Sequence, residues 1–160
     1  FEKSDLALKQ EDIDLKQLVD DVLNSRKLQF QNKKASINFN AEGNTFLVKG
    51  DKIHLTSVLY NLIDNALKYS PVNPIIDIQL AQNNGQIDLK IKDNGLGISE
   101  AYQAKIFDKF FRVPSGNTHN IKGHGLGLNY VKKVIEKHGG NIQVFSQLKE
   151  GTTFQVVLPL

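Results

Sequence analysis

The amino-acid sequence predicts a two-layer α/β sandwich, in which a mixed β-sheet is packed on one face by three main helices. Three observations lead there. Long segments with apolar residues at helical spacing are interleaved with short runs of period-two alternation. Glycine- and asparagine-rich turns separate those runs. The 160 residues are 40% hydrophobic and 23% charged, the balance of an ordinary globular chain with one core.

The elements follow in order. Residues 1–10 are mixed and weakly patterned, as in a linker. Asp12 is placed to cap a first helix, with Ile13, Leu15, Leu18, Val19, Val22 and Leu23 on its apolar stripe, running to about Asn32. Ala35–Phe39 and Thr45–Lys49 read as strands joined by a turn at Glu42-Gly43-Asn44. Asp51 caps a second helix whose buried side is Ile53, Leu55, Val58, Leu59, Leu62, Ile63, Ala66 and Leu67, ended by Ser70-Pro71. Ile75–Ala81 and Gln86–Lys92 alternate about Asn83-Asn84-Gly85, a hairpin turn. Ser99 opens a short helix, followed by Phe107, Phe110 and Phe111. Arg112 to His124 is polar and aperiodic, as expected of a mobile loop. Gly125 to Lys137 forms the third helix, stopped by Gly139-Gly140. A last strand pair, Asn141–Leu148 and Thr152–Leu160, turns at Glu150-Gly151.

Composition removes several classes of function. There is no cysteine, hence no disulfide, thiolate metal site or cysteine nucleophile. The net charge of +3 comes from dispersed basic residues, without the clustered stripe that nucleic-acid binding uses. No apolar run approaches the roughly 20 residues of a membrane span, and no signal peptide is recognisable. The chain contains no methionine and begins at Phe1, so a piece of a longer protein is expected.

Chemistry concentrates in three places. Asn61, Asn65 and Lys68 fall at i, i+4 and i+7, on one helix face at the edge of the apolar stripe. A neutral carboxamide oxygen suits a Mg²⁺ ion that keeps its waters and shares phosphate ligands, and Lys68 can neutralise phosphate. Alone, the same triple is also the text of a solvated helix face. Asp93 closes a strand before Asn94-Gly95-Leu96-Gly97; Asp-Asn-Gly by itself is a turn. A carboxylate held beside glycines can also accept a hydrogen bond from an exocyclic amine such as adenine's. Gly123-His124-Gly125-Leu126-Gly127 opens a helix, where free N–H groups attract phosphate. His54 and His138 read as surface or helix-end residues, His119 falls in the loop, and the phenylalanines read first as core.

The order and spacing of these signals say more than each alone. Asn61-Leu62-Ile63-Asp64-Asn65-Ala66-Leu67-Lys68-Tyr69-Ser70, then Asp93–Gly97, Phe107–Phe111, Gly123–Gly127 and Gly151-Thr152-Thr153-Phe154 resemble five ordered boxes. They are the asparagine, first glycine, phenylalanine, second glycine and third glycine boxes of the ATP-binding catalytic domain of bacterial sensor histidine kinases. The resemblance spans about residues 10–160. It implies the Bergerat fold shared with gyrase-type ATPases, with residues 11–160 as the kinase catalytic domain and 1–10 as the tail of a connection to a dimeric histidine-phosphotransfer hairpin.

It also implies ATP and Mg²⁺ as ligands. Asn65 would ligate the metal, while Asn61 and Lys68 lie along the phosphates. Tyr69 would pack on adenine and Asp93 bind its amino group. Gly95, Gly97 and Ile98 would approach the base, and Thr153 would line its pocket. Arg112 to Lys122 would form a lid anchored by Phe107, Phe110 and Phe111, and Gly123, His124, Gly125, Leu126, Gly127 and Leu128 would face the nucleotide. Hydrolysing relatives carry a glutamate base where this chain has Asn61, which cannot take a proton; Asp64 is turned about 100° from Asn65. Transfer to an external histidine is therefore implied, with a response regulator downstream and a membrane-anchored sensor whose catalytic part is cytoplasmic. An anti-sigma-type serine kinase and a nucleotide-gated interaction module are the alternatives on the same fold.

Overall fold

The computed structural model describes residues 7–70, 73–108 and 126–160. The chain enters through a short strand, β1 (Glu11–Asp14), followed by α1 (Leu15–Ser25) and α2 (Lys27–Lys33). The first helix is therefore capped by Asp14, not Asp12, and it does not run unbroken to Asn32. Asp14 Oδ1 accepts the N–H groups of Lys16 and Gln17 at 3.0 and 3.2 Å, the arrangement of an N-cap. Asp12 lies in β1 and pairs on the surface with Lys49. Arg26 leaves helical geometry (φ −103, ψ 8) between α1 and α2. Asp14→Ala should cost about 1 kcal/mol of stability, read as a lower urea midpoint at unchanged slope.

Two strands follow, β2 (Ser36–Glu42) and β3 (Leu47–Gly50), and they do not form the expected hairpin. β3 pairs antiparallel with β1 in a two-stranded sheet of its own. β2 instead pairs parallel with β4 (Ile75–Asn83), from Ser36↔Ile75 to Glu42↔Ala81. Between them runs α3 (Lys52–Lys68), capped by Asp51, which accepts His54 N–H at 3.1 Å. Ile53 is 72% exposed rather than buried: on the helical wheel it lies far round from Leu55, Leu59 and Leu62.

The remaining elements are β5 (Gln86–Asp93), α4 (Glu100–Gln103), α5 (Leu126–Lys137), β6 (Asn141–Gln147) and β7 (Gly151–Pro159). The main sheet has the order β2-β4-β5-β7-β6, antiparallel except for β2 and β4, hence mixed as expected. Asn84 and Gly85 both take positive φ (48° and 81°) in the two-residue turn joining β4 and β5, as a type I′ hairpin requires. Gly139 (φ 81°) and Gly140, whose N–H reaches Ile135 C=O at 3.0 Å, end α5 in a Schellman motif. Ile76, Ile78, Leu80, Ile87, Leu89, Ile91, Phe154, Val156 and Leu158 point from one sheet face into the core against Val19, Ile63, Val131 and Val134 of the helices. The opposite face carries residues such as Asn38, Asp77, Lys90, Lys92 and Gln155, which are exposed or half-buried.

Residue 9 already belongs to this body. Lys9 N–H donates to Asp51 Oδ2 at 2.9 Å, so the incoming chain rests on the start of α3. His138, at the end of α5, accepts Asp51 N–H at Nε2 (3.0 Å) while Nδ1 lies 2.7 Å from Val134 C=O.

Candidate nucleotide-binding site

One face of α3 carries Asn61, Asn65 and Lys68, each half-buried beside the core stripe. The Asn61 Nδ2 donates to Ser57 C=O at 2.9 Å, which fixes the carboxamide and turns its oxygen toward the first turn of α5. A Cβ added to Gly127 would fall 2.9 Å from Asn61 Oδ1. The second glycine box and the asparagine box therefore meet at that point. Tyr130, one turn further along α5, hydrogen-bonds His54 Nδ1 at 2.5 Å and reinforces the contact of the two helices. Burial pushes the Tyr130 hydroxyl above its ordinary pKa.

Asp64 is removed from this face. Arg26 grips it with both ends of the guanidinium fork, at 2.9 and 3.0 Å, and stacks 4.2 Å above the Tyr60 ring. The pair holds both Asp64 oxygens toward Arg26.

The end of α3 supports the base side. Tyr69 C=O accepts Leu96 N–H at 3.0 Å, and a Cβ on Gly95 would lie 2.4 Å from that same oxygen. Only glycine permits this approach. Gly97 (φ 78°) sits equally close to Gln147 C=O. Asp93 closes β5 with 7% exposure. Its Oδ1 accepts Gly95 N–H at 2.8 Å and Thr152 N–H at 3.2 Å. Its Oδ2 has no hydrogen-bond donor among the described residues. Burial pushes the Asp93 carboxyl above its ordinary range, partly offset by those two N–H groups. The result is a buried acceptor with one oxygen anchored and one available.

Strand parity corrects one assignment. Thr152 pairs with Asp93 and shares the helix-covered face with Phe154, whereas Thr153 pairs with Lys92 and Phe145 on the opposite face. The threonine beside the carboxylate is thus Thr152, with Ser146 behind it at 2.8 Å between hydroxyl oxygens. Counting back by twos from Leu158, Val156 and Phe154 would have found Thr152. Ile98 packs against the core and donates its N–H to Ser146 Oγ at 2.7 Å.

Phe107 sits edge-on to Phe154, centroids 6.3 Å apart, and its carbonyl accepts Asn129 Nδ2 at 3.1 Å. Its core role holds. Leu128 packs on the core, and Leu126 begins α5. Arg112, Lys122, Gly123, His124 and Gly125, with Phe110, Phe111, His119 and Pro71, lie outside the described residues. Among the described residues no three His, Asp or Glu side chains gather as a metal cluster. No helix among them is long and apolar enough to cross a membrane.

Residues 50–160 match the family described as histidine kinase-, DNA gyrase B-, and HSP90-like ATPase. The chain is 38% identical, over all of its length, to sensor protein RprX of Bacteroides fragilis, of which it spans 31%. In three dimensions it is similar to the nucleotide-free catalytic domain of histidine kinase ThkA, with a TM-score of 0.83 at 25% identity, covering 94% of this chain and 95% of that one. The mycobacterial sensor histidine kinase MprB gives 0.80 at 29% identity, covering 94% and 97%. The chain belongs to the histidine kinase-, DNA gyrase B- and HSP90-like ATPase family, as the ATP-binding catalytic domain of a sensor histidine kinase.

Proposed function

We propose that the crevice between α3, the loop after β5 and the start of α5 holds Mg-ATP and presents its γ-phosphate to a histidine outside this chain. The observation that carries this reading is Asp93: a buried carboxylate with Oδ1 fixed by Gly95 and Thr152 and Oδ2 without a donor among the described residues. An amino group donating to Oδ2 would offset part of the burial penalty, and adenine supplies one. Tyr69 then packs beside the base, and Gly95, Gly97 and Ile98 let backbone close on it.

At the other end, Asn61 and Lys68 run along the phosphates. The donor set fits Mg²⁺: Asn65 offers a neutral oxygen on the same face, while the nearest carboxylate, Asp64, is held by Arg26. A metal ion that takes most of its ligands from phosphate and water needs no more from the protein. When bound, it would neutralise charge on the transferring phosphoryl group. Asn61 stands where a water-activating base would be needed, and its amide accepts no proton. Phosphoryl transfer rests chiefly on positioning and charge neutralisation, so the acceptor must be delivered to the site.

That acceptor is a histidine on a dimeric helical hairpin of the longer protein, which passes the phosphoryl group to a response regulator. Segment 1–10 leads toward it, and the whole is a membrane-anchored sensor with this domain in the cytoplasm. The test is ATP titration with and without Mg²⁺, followed by supply of the hairpin in trans. We expect micromolar to sub-millimolar affinity, no phosphorylation of this chain alone, and ATP-dependent phosphohistidine on the added hairpin. Steady ATP hydrolysis without a hairpin would refute the role given to Asn61.

A further inference from the structure

Ser146 lies behind the base pocket, and its single hydroxyl meets three groups. It receives Ile98 N–H at 2.7 Å, it donates to Gly151 C=O at 2.9 Å, and it lies 2.8 Å from Thr152 Oγ1. A serine hydroxyl has one proton and two lone pairs. With the proton committed to Gly151 and one lone pair to Ile98, the other lone pair must accept from Thr152. The Thr152 proton is therefore directed backward, away from the pocket, and only lone pairs of Oγ1 remain for a ligand. Next to it, Asp93 Oδ2 is a carboxylate oxygen and so an acceptor, while Asp93 Oδ1 holds Thr152 N–H. Gln103 ties the two residues together, donating to Ile98 C=O at 2.8 Å and to Ser146 C=O at 2.9 Å.

We propose that Ser146 is a positioning residue for base specificity: by holding the Thr152 proton and the Ile98 amide, it makes this pocket wall acceptor-only. The inference rests on the assignment of this pocket to a purine nucleotide. A wall of acceptors takes a purine edge that bears an amine. It rejects the same edge bearing a carbonyl, which would place oxygen lone pairs against oxygen lone pairs. Ser146 itself touches no ligand. Without its hydroxyl, Thr152 is free to rotate its proton forward and donate to a carbonyl, while the Ile98 amide loses its acceptor.

The discriminating pair of probes is ATP and inosine triphosphate, which differ at the 6-position, amine against carbonyl, and at N1, a bare acceptor in adenine and an N–H in hypoxanthine. For the unaltered chain, ATP should bind at least tenfold more tightly. Ser146→Ala should narrow that ratio at least threefold, chiefly by improving the relative affinity of the inosine nucleotide. Ser146→Thr, which keeps the hydroxyl, should retain it. Thr152→Val, which removes the acceptor itself, should also narrow the ratio and covers the case in which Ser146→Ala folds poorly. A role in stability alone would weaken both nucleotides equally and leave the ratio unmoved; that result, in either variant, overturns the proposal. If the unaltered chain binds neither nucleotide, the failure belongs to the site assignment. If it discriminates and the variants discriminate equally, only the role of Ser146 falls.

Discussion

Asp93→Asn should remove most ATP affinity while leaving the fold as stable as before, or more so. The new carboxamide keeps its oxygen for Gly95 and Thr152, which fix Oδ1 at 2.8 and 3.2 Å. Its NH₂ replaces Oδ2 and turns a donor toward the adenine amine, so an attractive contact becomes a clash of donors. A hydrogen bond to a charged acceptor contributes about 1.5–3 kcal/mol, and its loss alone is roughly ten- to hundredfold in affinity. Stability moves the other way. Desolvation raises the folded-state pKa of Asp93 above the ordinary carboxylate range, so the folded chain holds this proton more tightly than the unfolded one. Stability from this group is full below the unfolded pKa and is lost as pH rises through the folded pKa. Where the carboxyl is ionised, the pocket carries a buried charge only partly offset by the Gly95 and Thr152 N–H groups, and the asparagine relieves it. Calorimetric titration with ATP beside a thermal melt separates the two effects; a variant that binds normally, or that unfolds, contradicts this account. In the unaltered chain the same shift predicts that ATP affinity weakens on acidification at a pH above the ordinary carboxylate range.

Local devices were readable where a few adjacent residues decide them. Asn84-Gly85 and Gly139-Gly140 each need positive φ at a particular place, and glycine or asparagine stands there. Asp51 before a long apolar stripe marked α3 for the same reason. The misread features depend on partners distant in sequence. β1 is four residues long with one buried side chain, Ile13, and exists because β3 lies beside it. Residues 26–27 contain no glycine or proline to announce a break, and Arg26, which stands at it, pairs with Asp64, 38 positions away. β2 leaves β3 for β4 because its neighbour is chosen by the sheet and not by the nearest turn.

The site divides in the same way. Asn61, Asn65, Asp93, Gly95 and Gly97 stood out because spacing and residue type carry the chemistry directly. Thr152 and Ser146 act through strand parity and through hydrogen bonds between strands, neither of which a motif displays. Exposed Ile53 was a different kind of error, since the helical wheel alone would have separated it from Leu55.

Gly97→Ala is expected to be strongly damaging for a single added methyl. At φ 78° an L side chain is strained, by about 1–2 kcal/mol. The added Cβ would also stand 2.1 Å from Gln147 C=O, a backbone atom that cannot swing aside. The loop must then move. Movement breaks bonds that hold it: Leu96 N–H to Tyr69 C=O at 3.0 Å, Lys149 N–H to Leu96 C=O at 2.7 Å, and Ile98 N–H to Ser146. At about 1 kcal/mol each, the total reaches roughly 3–5 kcal/mol, a large part of the stability of a typical domain. Gly85→Ala is the matched control. Its φ is 81°, close to that of Gly97, but an added Cβ there meets nothing within 4 Å. The control should lose only the strain and keep ATP affinity, whereas Gly97→Ala should lose both stability and binding. Equal denaturation midpoints for the two variants would mean that the contact with Gln147 imposes no constraint, and that the loop is not built around that glycine.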